Sequence, residues 1–337
     1  MRIALIGFGN LGRGLSRALV EKGEFLRKRH GLVPRVVAIA DETGAVIDDA
    51  GIPPKKLKAM AEKGGKIADF PGAKKGFQVI EMIKEARADV IFELTPTNIK
   101  TGEPGLSHIK VAMEERKHVI TSNKGPLVVA FRKLEDLARE MGVEFRYSAS
   151  VGGAIPVISL GKKLLSGNEI EEIRGVLNGT TNYILTRMAE EGAPFDLVLR
   201  EAQELGIAEK DPTLDVEGID TSCKLVILSN ALLREDARLE DVRRCGIRKI
   251  TPEAIRLAKE TGKVIKLVGI ARRGYLEVSP RLVPLEHPLA VGGTLNAVTL
   301  KLDLAREISI TGFGAGPKET SSSLLGDLID IHHTIGG

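Results

Sequence analysis

The chain has 337 residues, 43% of them apolar and 28% charged, with 37 glycines. That length suits two domains rather than one core, and the balance is that of a globular protein, not a disordered one. The net charge of +4 is spread over interspersed acids and bases, and aromatics make up 4% with no tryptophan, so neither a nucleic-acid footprint nor a base-stacking platform is indicated.

No apolar run reaches the roughly 18 residues of a membrane span, and the chain opens into a strand without a signal-peptide pattern. Cys223 and Cys245 make neither a disulfide framework nor a metal cluster. A reducing cytoplasm and small-molecule partners are therefore expected, with no nucleic acid and no membrane. In chain order, RIALIGFG reads as a strand and Leu11 towards Lys28 as a helix. RVVAIAD, ADVIFELT, HVITSN and VEFRYSAS read as four more strands, with helical patterns in FQVIEMIKEAR, GLSHIKVAMEER and FRKLEDLAREM between them. Strands alternating with helices predict an α/β domain built on a Rossmann-type, doubly wound parallel sheet. Near Val151 to Val157 the rhythm changes. EIRGVLN, a helical block from about Thr181 to Leu233, and the runs VIKLVGIAR, LEVSPRLVP, NAVTLKLD and REISITGF follow. They predict an α+β second domain with a mixed sheet. A last helix, about Thr320 to His333, comes after GFGAG.

The turn Gly7-Phe8-Gly9-Asn10-Leu11-Gly12 has the spacing G-x-G-x-x-G, directly after the first strand and opening a helix. That spacing permits a tight turn, close approach of backbone to a pyrophosphate and close helix-strand packing, with the anion at the helix N-terminus. Asp41 ends the second strand, where an acid accepts hydrogen bonds from an adenosine ribose and repels a 2′-phosphate. The interval from Gly12 to Asp41 is longer than the usual fingerprint, and Lys55, Lys56 and Lys58 offer contacts to such a phosphate. NAD is slightly favoured, with NADP left open. The expected boundaries are 1–147 for an NAD(P)-binding domain, 148–318 for the α+β second domain, and 319–337 for a helix packing back on the first.

AEKDPTLDVEGIDTSCK, Ala208 to Lys224, gathers Glu209, Asp211, Asp215, Glu217 and Asp220 where an apolar helix begins. With Asp215 at the start of one long helix, Asp220 and Lys224 share a face four residues apart. By itself the segment reads either as a capped helix with an ion pair or as a charged cradle.

TSNKGPL (Thr121 to Leu127), GVLNGTTNYIL (Gly175 to Leu185), this acid cluster and GFGAG (Gly312 to Gly316) together resemble homoserine dehydrogenase, in the family's order and over nearly the whole chain. The resemblance implies NAD(P)-dependent interconversion of L-homoserine and L-aspartate 4-semialdehyde, on the route to threonine and methionine, by a homodimer joined through its second domain. It implies that Lys124 lies beside the nicotinamide and that Thr95, Gly206 and Gly316 line the cofactor. It implies that Gly179 and Thr180 receive the substrate's amino-acid end and that Glu209 binds its ammonium group. Asp215 and Asp220 would surround the reacting oxygen, with Lys224 as proton donor. It also implies a sodium ion on the backbone carbonyls of Val151, Gly153 and Ile155; Ser148 stands where some members have a glutamate. No ACT-like regulatory extension or aspartokinase segment is expected.

Three other readings compete. Another Rossmann-type amino-acid dehydrogenase would share the cofactor turn. Aspartate-semialdehyde dehydrogenase needs a nucleophilic cysteine, and neither Cys223, inside a helix, nor Cys245 follows a strand as that role requires. A non-catalytic NAD(P)-sensing protein would not need Lys124, Asp220 and Lys224 together. His332 and His333 are adjacent, so they do not share a helix face and make no metal site.

Overall fold

The computed structural model describes residues 1–336. It divides into two compact units, Met1–Ser150 together with the segment from Gly316, and Val151–Ala315.

In the first unit, strand β1 (Arg2–Ile6) is buried from Ile3 to Ile6. It is followed by α1 (Asn10–Glu21), α2 (Gly23–His30), β2 (Arg35–Asp41), β3 (Gly44–Ile47) and α3 (Pro54–Lys63). Then come β4 (Lys74–Lys75), α4 (Val79–Glu85), β5 (Val90–Glu93), α5 (Gly105–Glu114), β6 (His118–Thr121), α6 (Lys124–Met141) and β7 (Phe145–Arg146). The sheet order is β4-β3-β2-β1-β5-β6-β7. Strand β1 pairs in parallel with both β2 and β5, so chain order reverses across β1. Parallel α/β sheets bind ligands at such a switch point, outside the strands' carboxyl ends.

The C-terminal helix, Pro317–Ile335, belongs to this unit. Leu324, Leu328 and Ile331, spaced four and three apart, form one apolar stripe and join the core of Ile3, Leu5, Leu15, Leu19 and Phe92. Beside that stripe Asp330 pairs with Arg146 at 2.6 Å, and Asp327 accepts the Ser148 N–H at 3.0 Å. Burial pushes the Asp327 carboxyl up to about 6.

The second unit begins with a single turn, α7 (Val157–Ser159), and β8 (Ile170–Val176). It continues with α8 (Gly179–Glu191), α9 (Phe195–Glu204), α10 (Thr213–Val216), α11 (Ile219–Leu228), β9 (Val242–Arg244) and α12 (Pro252–Glu260). The strands β10 (Lys263–Arg272), β11 (Tyr275–Pro284), β12 (Leu295–Leu302) and β13 (Glu307–Phe313) complete a mixed sheet ordered β13-β12-β8-β10-β11-β9. Central β8 is antiparallel to β10 and β12, and only β9 runs parallel, to β11. Helix α11 is buried from Thr221 to Leu228. Although it carries Thr221, Ser222 and Lys224, no face of this stretch is left to solvent.

The elements differ from the expectations in four places. The first helix ends at Glu21, because Lys22 leaves helical dihedrals before α2 restarts at Gly23. After Asp41 the chain forms the antiparallel edge strands β3 and β4, too short to stand out in sequence. The run VEFRYSAS contributes only Phe145–Arg146 to the sheet, while Ser148–Ser150 closes into a 3-10 turn held by the C-terminal helix. The long helix from Asp215 is two helices, separated at Gly218 with φ of +76°. That left-handed position costs little only for glycine. Asp215 accordingly lies inside α10, whose N-cap is Pro212, rather than capping a long helix.

Candidate active site

In the first unit the glycine turn is built by close contacts. A Cβ on Gly7, at φ +96°, would lie 2.7 Å from the Leu94 carbonyl oxygen, and one on Gly12 would lie 2.2 Å from the carbonyl oxygen of Gly7. Both positions exclude a side chain, whereas a Cβ on Gly9 would meet nothing within 4 Å. That open space at the N-terminus of α1 suits a pyrophosphate. Phe8 is buried against the Phe70 ring. Asn10 is exposed and accepts from Arg13 at 3.0 Å, and Leu11 is half-buried.

Asp41 is at the end of β2 as expected, but its carboxylate has work within the chain. Oδ1 accepts the Thr43 N–H at 2.8 Å and the Thr43 hydroxyl at 2.6 Å, and Oδ2 accepts the Ile67 N–H at 2.9 Å. The acid stays at the strand end as a fixed negative charge. Lys55, Lys56 and Lys58 lie on the exposed side of α3, where Lys58 faces Glu62 at 3.8 Å. Thr95 is half-buried just beyond β5, and half-buried Lys124 is the first residue of α6, whose N-cap Asn123 accepts the Gly125 N–H at 3.0 Å. Gly316, at φ +125°, starts the C-terminal helix.

In the second unit the acids and the lysine meet. Lys224 Nζ lies 2.7 Å from Asp220 Oδ2 and donates to the Leu177 carbonyl at 2.6 Å, with the residue only 8% exposed. The amide of Asn178 donates to Asp215 Oδ1 at 2.6 Å and to Asp220 Oδ2 at 3.0 Å. Its oxygen caps α8 by accepting the Thr181 N–H at 2.8 Å. One asparagine thus joins both carboxylates to the start of α8. Burial, and then the charge of Asp220, raises the Asp215 carboxyl above its ordinary value.

Gly179 has no room for a side chain, since a Cβ would lie 2.9 Å from the Thr294 carbonyl oxygen. The Thr180 hydroxyl donates to the Ile207 carbonyl at 3.1 Å. This ties α8 to the loop of Gly206 (φ +70°) and Glu209, both exposed. The Gln203 amide donates to the Glu209 carbonyl at 3.1 Å. The Glu209 carboxylate makes no hydrogen bond among the described residues and is not drawn into the Asp215–Asp220–Lys224 cluster.

This arrangement can hold a zwitterion near a poised ammonium, and comparison with known proteins decides which one the family handles. The Homoserine dehydrogenase family profile matches residues 156–329, and residues 1–95 match that of Glutamate/Leucine/Phenylalanine/Valine dehydrogenase. A homoserine dehydrogenase of Methanocaldococcus jannaschii is 48% identical over 99% of both chains. The chain belongs to the homoserine dehydrogenase family. An NAD(+)-dependent homoserine dehydrogenase of Pseudomonas canavaninivorans is 37% identical over 99% of this chain and 96% of its own. Among solved structures, an Archaeoglobus fulgidus protein assigned as a homoserine dehydrogenase superposes with TM-score 0.90 at 43% identity, covering 98% of this chain and 99% of that one. A hyperthermophilic archaeal homoserine dehydrogenase in complex with NADPH gives 0.85 at 28%, covering 99% and 98%. Family membership makes the chain an NAD(P)-dependent oxidoreductase.

Within this homoserine dehydrogenase fold the turn of Val151, Gly153 and Ile155 is buried. Gly152 and Gly153 have φ of +81° and +56°, and the Ile155 carbonyl already accepts the Val157 N–H at 2.9 Å. Carbonyl oxygens are the donor type a hard cation takes. A serine at position 148 supplies no carboxylate to that set. Asn178 was not singled out from the sequence, although an asparagine just before a helix is a cap signature. Its reach to Asp215 and Asp220, across 37 and 42 residues, has no local signal. Among the described residues no helix is long and apolar enough to cross a membrane.

Proposed function

We propose that the chain reversibly interconverts L-homoserine and L-aspartate 4-semialdehyde with NAD(P), as a cytoplasmic enzyme of threonine and methionine biosynthesis. The first unit is the dinucleotide-binding domain; the second carries the substrate and proton-transfer groups. The observation that carries this reading is the Asp220–Lys224 pair at 2.7 Å, tied by Asn178 to the NGTT turn.

When bound, the nicotinamide exchanges a hydride with the carbon bearing the substrate's terminal oxygen. During aldehyde reduction Lys224 donates a proton from Nζ to the developing alkoxide, and in homoserine oxidation it takes that proton back. Asp220 and the Leu177 carbonyl fix where Nζ points. Asp215 and Asp220 surround the reacting oxygen. The exposed Glu209 carboxylate takes the substrate ammonium, while Gly179 and Thr180 receive the amino-acid end. Gly7, Gly9 and Gly12 would hold the pyrophosphate; Thr95, Gly206 and Gly316 would line the cofactor, and Lys124 would hold the reacting group against the nicotinamide.

NAD is favoured over NADP, because a 2′-phosphate would meet Asp41 and Glu42. Val151, Gly153 and Ile155 would hold a sodium ion, whose contribution is to stiffen that turn. The protein is a homodimer joined through the second unit. Support comes from its edge strand β13, where Phe313 is 54% exposed; β12, apolar in sequence, is instead buried within the sheet from Asn296 to Leu300. Reduced cofactor forming from L-homoserine, with NAD or NADP and with sodium or potassium, tests the function. Light scattering tests the dimer.

A further inference from the structure

Glu93 ends β5, an otherwise apolar strand, with its side chain fully buried. Burying a carboxylate is costly unless its lone pairs are met, and an apolar residue would fill the same space without that cost. The donors that meet it come from Thr95, just beyond β5, and from Thr121, the last residue of β6. Oε1 accepts the Thr95 N–H at 3.0 Å and also the Thr95 hydroxyl. Oε2 shares the Thr121 hydroxyl with the Glu93 backbone carbonyl, each at 3.0 Å.

The network continues towards α6. The Thr121 oxygen accepts the Asn123 N–H at 3.0 Å. Asn123 caps α6 and sends its amide to Thr95 Oγ1 at 3.3 Å and to the Pro96 carbonyl at 3.4 Å. From α5, His108 brings Nδ1 to 3.9 Å from Glu93 Oε1. The cluster leaves no slack at Gly105, where a Cβ would lie 2.6 Å from Asn123 Nδ2 and 3.1 Å from Glu93 Oε2. It also lies beneath the glycine turn, since a Cβ on Gly7 would lie 3.1 Å from Thr95 N.

We propose that Glu93 is a positioning residue for the nicotinamide half of the dinucleotide. It locks Thr95 and the Asn123–Lys124 turn into one arrangement at the carboxyl ends of β5 and β6. The adenosine half belongs on the other side of β1, at the end of β2, where Glu93 makes no contact. This inference rests on the reading of the crevice as an NAD(P) site.

The test compares binding of NADH or NADPH with binding of ADP-ribose, which lacks the nicotinamide, by titration calorimetry. The proteins are wild type, Glu93→Gln, Glu93→Ala and Thr121→Val. Glu93→Ala should weaken the reduced dinucleotide by about tenfold or more, the worth of one or two lost charged hydrogen bonds. ADP-ribose affinity should stay within about twofold, a change too small to reflect a lost hydrogen bond. Glu93→Gln keeps an acceptor for Thr95 and should recover most of the loss. Thr121→Val, nearly equal in volume, should weaken the dinucleotide and spare ADP-ribose in the same way; it decides the matter if Glu93→Ala does not fold. Equal losses for both ligands, or unchanged dinucleotide binding in Thr121→Val and in a folded Glu93→Ala, would overturn the proposal. A wild-type protein that binds neither NADH nor NADPH would refute the underlying reading instead.

Discussion

The Lys224 ammonium and the Asp220 carboxylate meet at 2.7 Å on one face of α11, both side chains at least 86% buried. A buried pair is weak evidence for stability, because desolvation offsets the attraction. Its placement beside Asn178 and Asp215 points to chemistry. Lys224→Ala should lower kcat by about 10²–10⁴, the usual worth of general acid-base catalysis, with dinucleotide affinity little changed. Asp220→Ala should lower it as well, and the double variant should lose less than the sum, because the two residues act as a unit. Near-normal kcat in Lys224→Ala, together with its loss in Lys124→Ala, would exchange the roles of the two lysines.

Asn178 should matter twice. Asn178→Ala removes a helix cap, worth about 1 kcal/mol, and leaves Asp215 and Asp220 without the donor between them. Thermal unfolding should show the first effect and kcat the second. If Asn178→Ala lowers Tm but leaves kcat at the wild-type value, the bridge is structural only.

The separation of α10 from α11 makes Gly218 a sharp test of the fold. Gly218→Ala places a Cβ at φ +76° and 3.0 Å from Val278 Cγ1. The left-handed conformation alone costs an L-residue roughly 1–2 kcal/mol. Urea unfolding should show a loss of at least that size. A neutral substitution would mean that the helix runs on through this position.

A pH prediction comes from Lys266, buried in β10, whose ammonium donates to Asn182 Oδ1 at 2.7 Å and to Thr186 Oγ1 at 3.2 Å. Burial lowers its pKa from 10.5 to about 8, opposed only in part by Glu190. A folded value below the unfolded one means that the contribution to stability is fully present above about pH 10.5 and is lost as pH falls through about 8. The stability of wild type relative to Lys266→Met should therefore rise between about pH 7 and pH 10. A difference that stays flat across that range would show that Lys266 does not titrate there.

Cofactor choice depends on Asp41. Wild type should show a higher kcat/KM with NAD than with NADP, and Asp41→Ala should narrow the ratio. The same variant should lose some stability, since Thr43 and Ile67 both lose an acceptor. A clear NADP preference in wild type would show that Lys55, Lys56 and Lys58 outweigh the acid.

Features governed by short spacing were legible in the sequence. Gly7, Gly9 and Gly12 announce their turn because the motif's spacing lies within six residues, although the contact that excludes a side chain at Gly7 comes from distant Leu94, and Asp220 meets Lys224 because a helix places i and i+4 together. Alternation of strands and helices marked the parallel sheet. What depended on distant partners was not legible. Nothing near Asp41 tells that the Ile67 N–H will take one of its oxygens, and nothing near Glu93 tells that Thr121 will take another. Gly218 is readable in principle as a break, but with Asp215 taken as a helix start the segment runs on through it as one long helix.

The most direct measurement is the absorbance of reduced nicotinamide when purified protein is mixed with L-homoserine and either NAD or NADP. The account predicts steady formation of NADH or NADPH, and its disappearance when L-aspartate 4-semialdehyde is supplied in the reverse direction. No change with either cofactor, across several pH values and with sodium or potassium present, would contradict it.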